Sequence, residues 1–186
     1  MPLCKEGIDR LTEGVQKGIY LDADIVYTSP MIRCLESADI IYPGCKKHII
    51  EQFSEKDFGS WEMKDYEDLK GDLRYKAWVE SNGKLPFPEG EPDEDVRARV
   101  LGAFDDLLDE LFSTREDEAD TNEVCDHVAL IVHGGTIMTI LSERLTEGKK
   151  GYYDYQCHCG EGYVILVEKD KEDSSYHIVK LEDISI

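Results

Sequence analysis

The chain has 186 residues, 41 of them acidic and 21 basic, for a formal net charge of -20. That length suffices for one well-cored domain, the 41% hydrophobic and 33% charged residues contain no membrane-length apolar run, and the charge opposes nucleic-acid backbones, so neither membrane nor nucleic acid is an expected partner. Residues 1 to 20 show no basic stretch followed by an apolar core, so the expected compartment is the cytoplasm, and Cys4, Cys34, Cys45, Cys125, Cys157 and Cys159, without framework spacing, read as free thiols.

In chain order, Ile8, Leu11, Val15 and Ile19 form the stripe of an amphipathic helix over residues 6 to 19. Asp24 to Thr28 is a short strand, and Ser29-Pro30 suits the N-cap and first position of a second helix with Met31, Cys34, Leu35, Ala38 and Ile41 inward. Pro43-Gly44 stops that helix, and His48 to Ile50 is a short strand ahead of an ordered, charged excursion from Glu51 to Tyr66. Leu69 to Trp78 reads as helical, and Pro86, Pro88, Gly90 and Pro92 make a loop before a helix from Asp93 to Phe112. That helix has Val96, Val100, Leu101, Phe104, Leu107, Leu108, Leu111 and Phe112 at helical spacing, so it covers a sheet.

Residues 113 to 126 read as a solvated loop. Val128 to Val132 is a continuous apolar strand, predicted to be buried on both faces, and it runs into His133-Gly134-Gly135-Thr136 and another helix. Tyr163 to Glu168 and Tyr176 to Leu181 are spaced as an antiparallel hairpin. The alternation predicts an α/β fold, a three-layer sandwich whose mostly parallel sheet has an antiparallel edge.

In such sheets ligands bind beyond the carboxyl ends of the strands. Two residues there attract attention: Arg33, in the first turn after Ser29-Pro30, and His133, which ends the most apolar strand ahead of two glycines. A cationic Arg and a His at helix N-termini suggest a phosphate pocket, although an Arg near a helix start is more often a surface side chain and a lone His at a strand end a structural one.

Five segments in order tilt the balance. Pro2 to Gly7 is similar to a "PLTxxG" helix start. Thr28 to Ala38 is similar to the "SSP, two residues, R, A, x, ETA" motif, and Glu55 to Glu62 to "E, two residues, FGxWEG". Phe87 to Glu91 is similar to a "PxGES" loop, and Val132 to Gly135 to a second histidine motif. Together they resemble the histidine phosphatase, or phosphoglycerate mutase-like, superfamily over nearly the whole chain, and within it the small phosphatase branch more than the mutases with their longer insertions.

The resemblance implies that Arg33 and Gly134 bind phosphate, that His133 binds it and stabilises the transition state, and that Glu55 is the general acid. A histidine nucleophile would take the phosphoryl group, cations would neutralise its equatorial oxygens, a carboxyl group would protonate the departing alkoxide, and water would free the phosphohistidine. No metal or other cofactor is needed. The expected partner is a small phosphorylated metabolite, with a homo-oligomer left open. Glu55 also reads as one solvated acid among Glu51, Asp57 and Glu62. Trp61 reads as packing, Glu62 as ordering its own loop, and Arg97 and Arg99 as helix surface rather than partners of Glu91. Met63 stands where the family usually has glycine.

The family's Arg-His-Gly motif, at the end of its central first strand, has no counterpart in this sequence, and His48, His127, His158 and His177 are poor substitutes. The expectation is therefore a single, N-terminally incomplete domain over 1-186, marginally stable or completed by its own rearranged segment or a partner's strand. The competing function is a pseudoenzyme that binds phosphorylated ligands without turning them over. Metal binding by Cys157-His158-Cys159 is a third reading, but it offers at most two ligands where structural zinc wants four.

Overall fold

A computed structural model describes residues 1-81, 83, 85-117, 127-170, 172 and 174-186, the side chains of 114-117 excepted. It divides into two units, one formed by Met1-Glu55 with Val100-Ile186, the other by Lys56-Arg99.

In the first unit, helix α1 (Lys5-Lys17) begins where the Cys4 Sγ accepts the Gly7 N–H at 3.4 Å, and it ends at Gly18 with φ 67°. The predicted stripe is only partly the buried one: Leu11 is buried, but Ile8 and Val15 stay 42% and 41% exposed. Glycine decides the buried face instead. A Cβ on Gly14 would lie 2.7 Å from the Tyr20 hydroxyl, so this side can approach its neighbours where a larger side chain could not. Tyr20 donates to the Gly160 carbonyl at 2.8 Å and the Arg10 Nε to the Cys159 carbonyl at 2.7 Å, which fastens the N-terminal region to the turn after residue 157.

Strand β1 (Ile25-Thr28) is central in a parallel sheet between β2 (Lys47-Ile49) and β3 (Val128-Ile131), with Val26 opposite Lys47 on one side and Ala129 on the other. Helix α2 (Ile32-Ile41) lies against β1 and β3, and Val26, Ala38 and Ala129 form a tight core where they meet. Small side chains at 38 and 129 let the helix come close. Ser29 is not the helix N-cap that its position ahead of proline suggested. The cap is Met31, whose side chain makes no capping bond.

Burial of β3 on both faces is not observed. Ala129 is buried, yet Val128 is 37% exposed, because β3 pairs with β1 alone and is an edge strand among the described residues. The hairpin of β4 (Gly162-Lys169) and β5 (Tyr176-Ile184) is antiparallel as expected and forms its own two-stranded sheet, bulged at Leu166/Val167. The α/β class with parallel strands and an antiparallel pair thus holds.

The long helix, numbered α5, spans Asp93-Asp117, so it replaces the beginning of the loop expected from residue 113. Residues 118-126 of that loop, Cys125 among them, lie outside the described residues. From Val100 onward α5 buries Val100, Phe104, Leu107 and Leu108. It is tied to helix α6 (Gly134-Arg144) by Arg144 to Asp105 at 3.1 and 2.5 Å, and to β5 by the Tyr176 hydroxyl, which donates to Asp109 at 2.6 Å.

In the second unit, the single helix expected at 69-78 is two, α3 (Tyr66-Leu69) and α4 (Leu73-Glu80), because Asp65 and Asp72 each cap a fresh start. Trp61 is buried among Tyr75, Trp78 and Phe87, with ring centroids 5.6, 6.1 and 5.6 Å away. The segments 57-62 and 87-91 run backbone to backbone: Ser60 N–H donates to Pro88 O and Glu91 N–H to Asp57 O, both at 2.9 Å. Gly59, at φ 57°, is required there, since a Cβ would sit 2.3 Å from Gly90 N. Arg99 corrects the surface reading given to it, since it grips Glu91 with two bonds of 2.6 and 2.8 Å and holds that carboxyl below its usual range. The chelating geometry outweighs solvation at a part-buried position.

Candidate active site

The carboxyl ends of β1 and β3 lie side by side, joined by the Ser29 N–H to the Ile131 carbonyl at 3.0 Å. The segments leaving the two strands therefore meet. Ser29 leaves β1, Arg33 and Cys34 sit in the first turn of α2, and His133 is the N-cap of α6. Glu55 comes from the segment after β2, which is anchored by the fully buried Phe53 and by the Ile50 N–H on the Thr28 carbonyl at 3.0 Å.

His133 is the hub, buried at 5% exposure. Its Nε2 is 2.8 Å from the Ser29 Oγ, and its Nδ1 is 3.1 Å from an Arg33 guanidinium nitrogen. An arginine only donates, so Nδ1 acts as acceptor and the ring hydrogen sits on Nε2, donating to Ser29. The Ser29 hydroxyl oxygen also receives the Met31 N–H at 3.3 Å, which fixes it toward the ring. A Glu55 carboxylate oxygen lies 3.5 Å from Nδ1 and 3.6 Å from the same arginine nitrogen.

Three of the four residues singled out from the sequence thus converge within hydrogen-bond or ion-pair reach of one another. The fourth, Gly134, opens α6 with open space where a Cβ would point. The next glycine is the tighter one, because a Cβ on Gly135 would stand 3.3 Å from a Glu55 carboxylate oxygen and 4.0 Å from the Tyr152 hydroxyl.

The electrostatics favour an anion. Arg33 contributes a fixed positive charge, and the first turn of α6 contributes N–H groups that have no partner within the helix and lie at its positive end. The Glu55 carboxylate stands against both His133 and Arg33. Cys34 approaches both ring nitrogens, at 3.6 and 3.8 Å. Burial pushes its thiol up to about 11 against smaller downward pulls from Arg33 and Ser29, so it stands as a neutral wall and not as a nucleophile.

Sequence reasoning missed three neighbours. Ser29 reads from the sequence as a helix cap, although a polar residue directly after a strand is the available signal. Cys34 reads as core, and Tyr152, distant in sequence and outside any motif, gives none. Among the described residues no group of three or more His, Cys, Asp or Glu is arranged to hold a metal, so Cys157, His158 and Cys159 belong to no such cluster. Among them, too, no helix is long and apolar enough to cross a membrane.

Comparison with known proteins yields a match to the family model described as histidine phosphatase superfamily (branch 1), over residues 1-179. No curated protein matches. Solved structures do. The α-ribazole phosphatase from Shigella flexneri is similar at 20% identity and TM-score 0.68, over 97% of this chain and 83% of that one. The mycobacterial glucosyl-3-phosphoglycerate phosphatase is similar at 16% and 0.69, over 96% and 86%. The phosphoglycerate mutase from Thermus thermophilus is similar at 18% and 0.57, over 100% and 85%. At such identities the likeness is one of fold.

Proposed function

The chain belongs to the histidine phosphatase superfamily, and on that premise we propose that Arg33, His133, Gly134 and Glu55 serve the hydrolysis of a small phosphomonoester through a phosphohistidine. The observation that carries this reading is the buried His133 ring at the start of α6, with Arg33 at 3.1 Å and Glu55 at 3.5 Å from one nitrogen. Arg33 pairs with the phosphoryl oxygens in the planar manner that guanidinium favours. When the phosphoryl group draws Arg33 off its Nδ1, His133 takes up a solvent proton there and adds a hydrogen bond to the charge that builds on those oxygens in the transition state. Glu55, protonated, gives its hydrogen to the departing alkoxide and afterwards draws a proton from the water that attacks the phosphohistidine. The superfamily's Arg-His-Gly motif, which supplies the nucleophile, does not occur in these 186 residues, so turnover is assigned to a form that bears it. Two phosphatases among the similar structures support hydrolysis over phosphoryl relocation.

Two measurements test the reading. Orthovanadate should bind this chain, with affinity reduced about tenfold or more in Arg33→Ala, the scale of a charge-assisted contact. p-Nitrophenyl phosphate should be hydrolysed by a version extended with an Arg-His-Gly strand, and the activity should vanish in its His133→Ala variant. Absence of vanadate binding would refute the phosphate site. Binding without turnover in the extended form would make the protein a binding module, and His133-dependent turnover by the short chain would show that another residue takes the phosphoryl group.

A further inference from the structure

The turn after α6 places an aromatic side chain beside this site. Residues Tyr152-Tyr155 form a 3-10 turn lying against α6. Two features hold it. Tyr155 is buried at 1% exposure, its hydroxyl accepting the Lys150 N–H at 2.9 Å, and the Asp154 carboxylate accepts the Gly151 N–H at 2.8 Å. Tyr152 is therefore presented from an anchored segment. Its hydroxyl donates to the Gly135 carbonyl at 3.4 Å. The Cβ position on Gly135, which meets Glu55 at 3.3 Å, meets this hydroxyl at 4.0 Å, so carboxylate and phenol flank the same turn of α6. Tyr152 remains 38% exposed as a residue, and Tyr153, 62% exposed, stands edge-on to its ring with centroids 5.1 Å apart at 89°. Two rings in fixed mutual orientation offer faces and edges on which a flat group can lie.

Resting on the phosphoryl-site reading above, we propose that Tyr152 is a specificity-determining residue that favours phosphomonoesters whose ester group is a planar ring over those with a small alkyl group. The phosphoryl group would sit against Arg33 and His133, with the ring of the leaving group against Tyr152 on the Glu55 side, where the carboxyl group meets the ester oxygen. Tyr153 supports Tyr152 edge-on and is not required to touch the ligand. A tyrosine that merely packed its turn would lack this preference, because its loss would weaken every ligand alike.

The experiment uses the chain as it stands and needs no turnover. Methylphosphonate and phenylphosphonate are titrated into the wild type, Tyr152→Leu and Tyr152→Phe and followed by calorimetry. Phenylphosphonate should bind about fivefold more tightly than methylphosphonate to the wild type, the scale of one aromatic pair. Tyr152→Leu should bring that ratio to about one, and Tyr152→Phe should keep it. A wild-type ratio near one, a ratio that survives in Tyr152→Leu, or equal losses for both ligands would overturn the role of Tyr152 while leaving the phosphoryl site standing. If neither phosphonate binds the wild type, the phosphoryl reading fails and this inference fails with it.

Discussion

Each ring nitrogen of His133 has a partner, so small changes around it have definite consequences. Gly135→Ala puts a methyl group 3.3 Å from the Glu55 carboxylate. That oxygen ends a flexible side chain and can move by a few tenths of an ångström, so stability should stay within about 1 kcal/mol of the parent, alanine being the better helix former. Activity in the Arg-His-Gly-bearing form should nevertheless fall roughly tenfold if Glu55 is the proton donor proposed above, because its carboxyl group has moved. Urea unfolding and steady-state kinetics read the two effects separately. Cys34 gives a pH dependence of known sign. Its folded thiol titrates near 11 against an ordinary 9.0, so between those values the unfolded chain loses the proton first and stability falls as pH rises. The loss amounts to about 2 to 3 kcal/mol across the window, and Cys34→Ala should flatten the slope by that amount in urea titrations compared at the two ends. Arg33, Glu55 and His133 were legible in the sequence because motif spacing marks them. Ser29 and Tyr152 were not, since their places beside His133 and Gly135 depend on where two strands end and how a turn lies on a helix.

At the level of elements, what was legible came from periodicity and chain breakers. The β1-α2 and β3-α6 units, the long α5 and the terminal hairpin all carry strong apolar patterns, and all are present. The failures share a cause: neighbours chosen by the tertiary fold. Apolar β3 has a strand on one side only among the described residues, α1 turns its glycines inward, and Asp72 restarts a helix that composition alone would continue. Turn chemistry yields a prediction of its own. Met63 holds φ 62°, a left-handed conformation that costs a side-chain-bearing residue about 1 kcal/mol. It occupies the position where the family usually has glycine, and it is 68% exposed, so little packing is lost on truncation. Met63→Gly should therefore stabilise the protein by up to about 1 kcal/mol, raising the urea midpoint without changing the slope. A lowered midpoint would mean that the methionine side chain makes a contact worth more than the backbone strain.

For the molecule as a whole, the net charge of -20 sets a self-repulsion that no local pair cancels. Sodium chloride that shortens the screening length from ~30 Å at 0.01 M to ~3 Å at 1 M should raise the melting temperature by several degrees, and an unchanged or lower value would show that local ion pairs outweigh the global field. The same charge makes Arg33 and the positive end of α6 more consequential, since an anionic ligand at the proposed site would be drawn there against the field of the whole molecule. Another consequence lies in the division between the two sheets. Among the described residues, strands β1 to β3 and the β4-β5 hairpin share no ladder, and the isolated bridge from Leu145 to Ile178 attaches the hairpin to the end of α6 instead. Backbone amides in the two ladders can thus open to solvent in separate events. Deuterium uptake should sort them into two kinetic populations, the central strand β1 exchanging on one clock and β4 with β5 on another, and a ligand held by Arg33 and His133 should slow the first far more than the second.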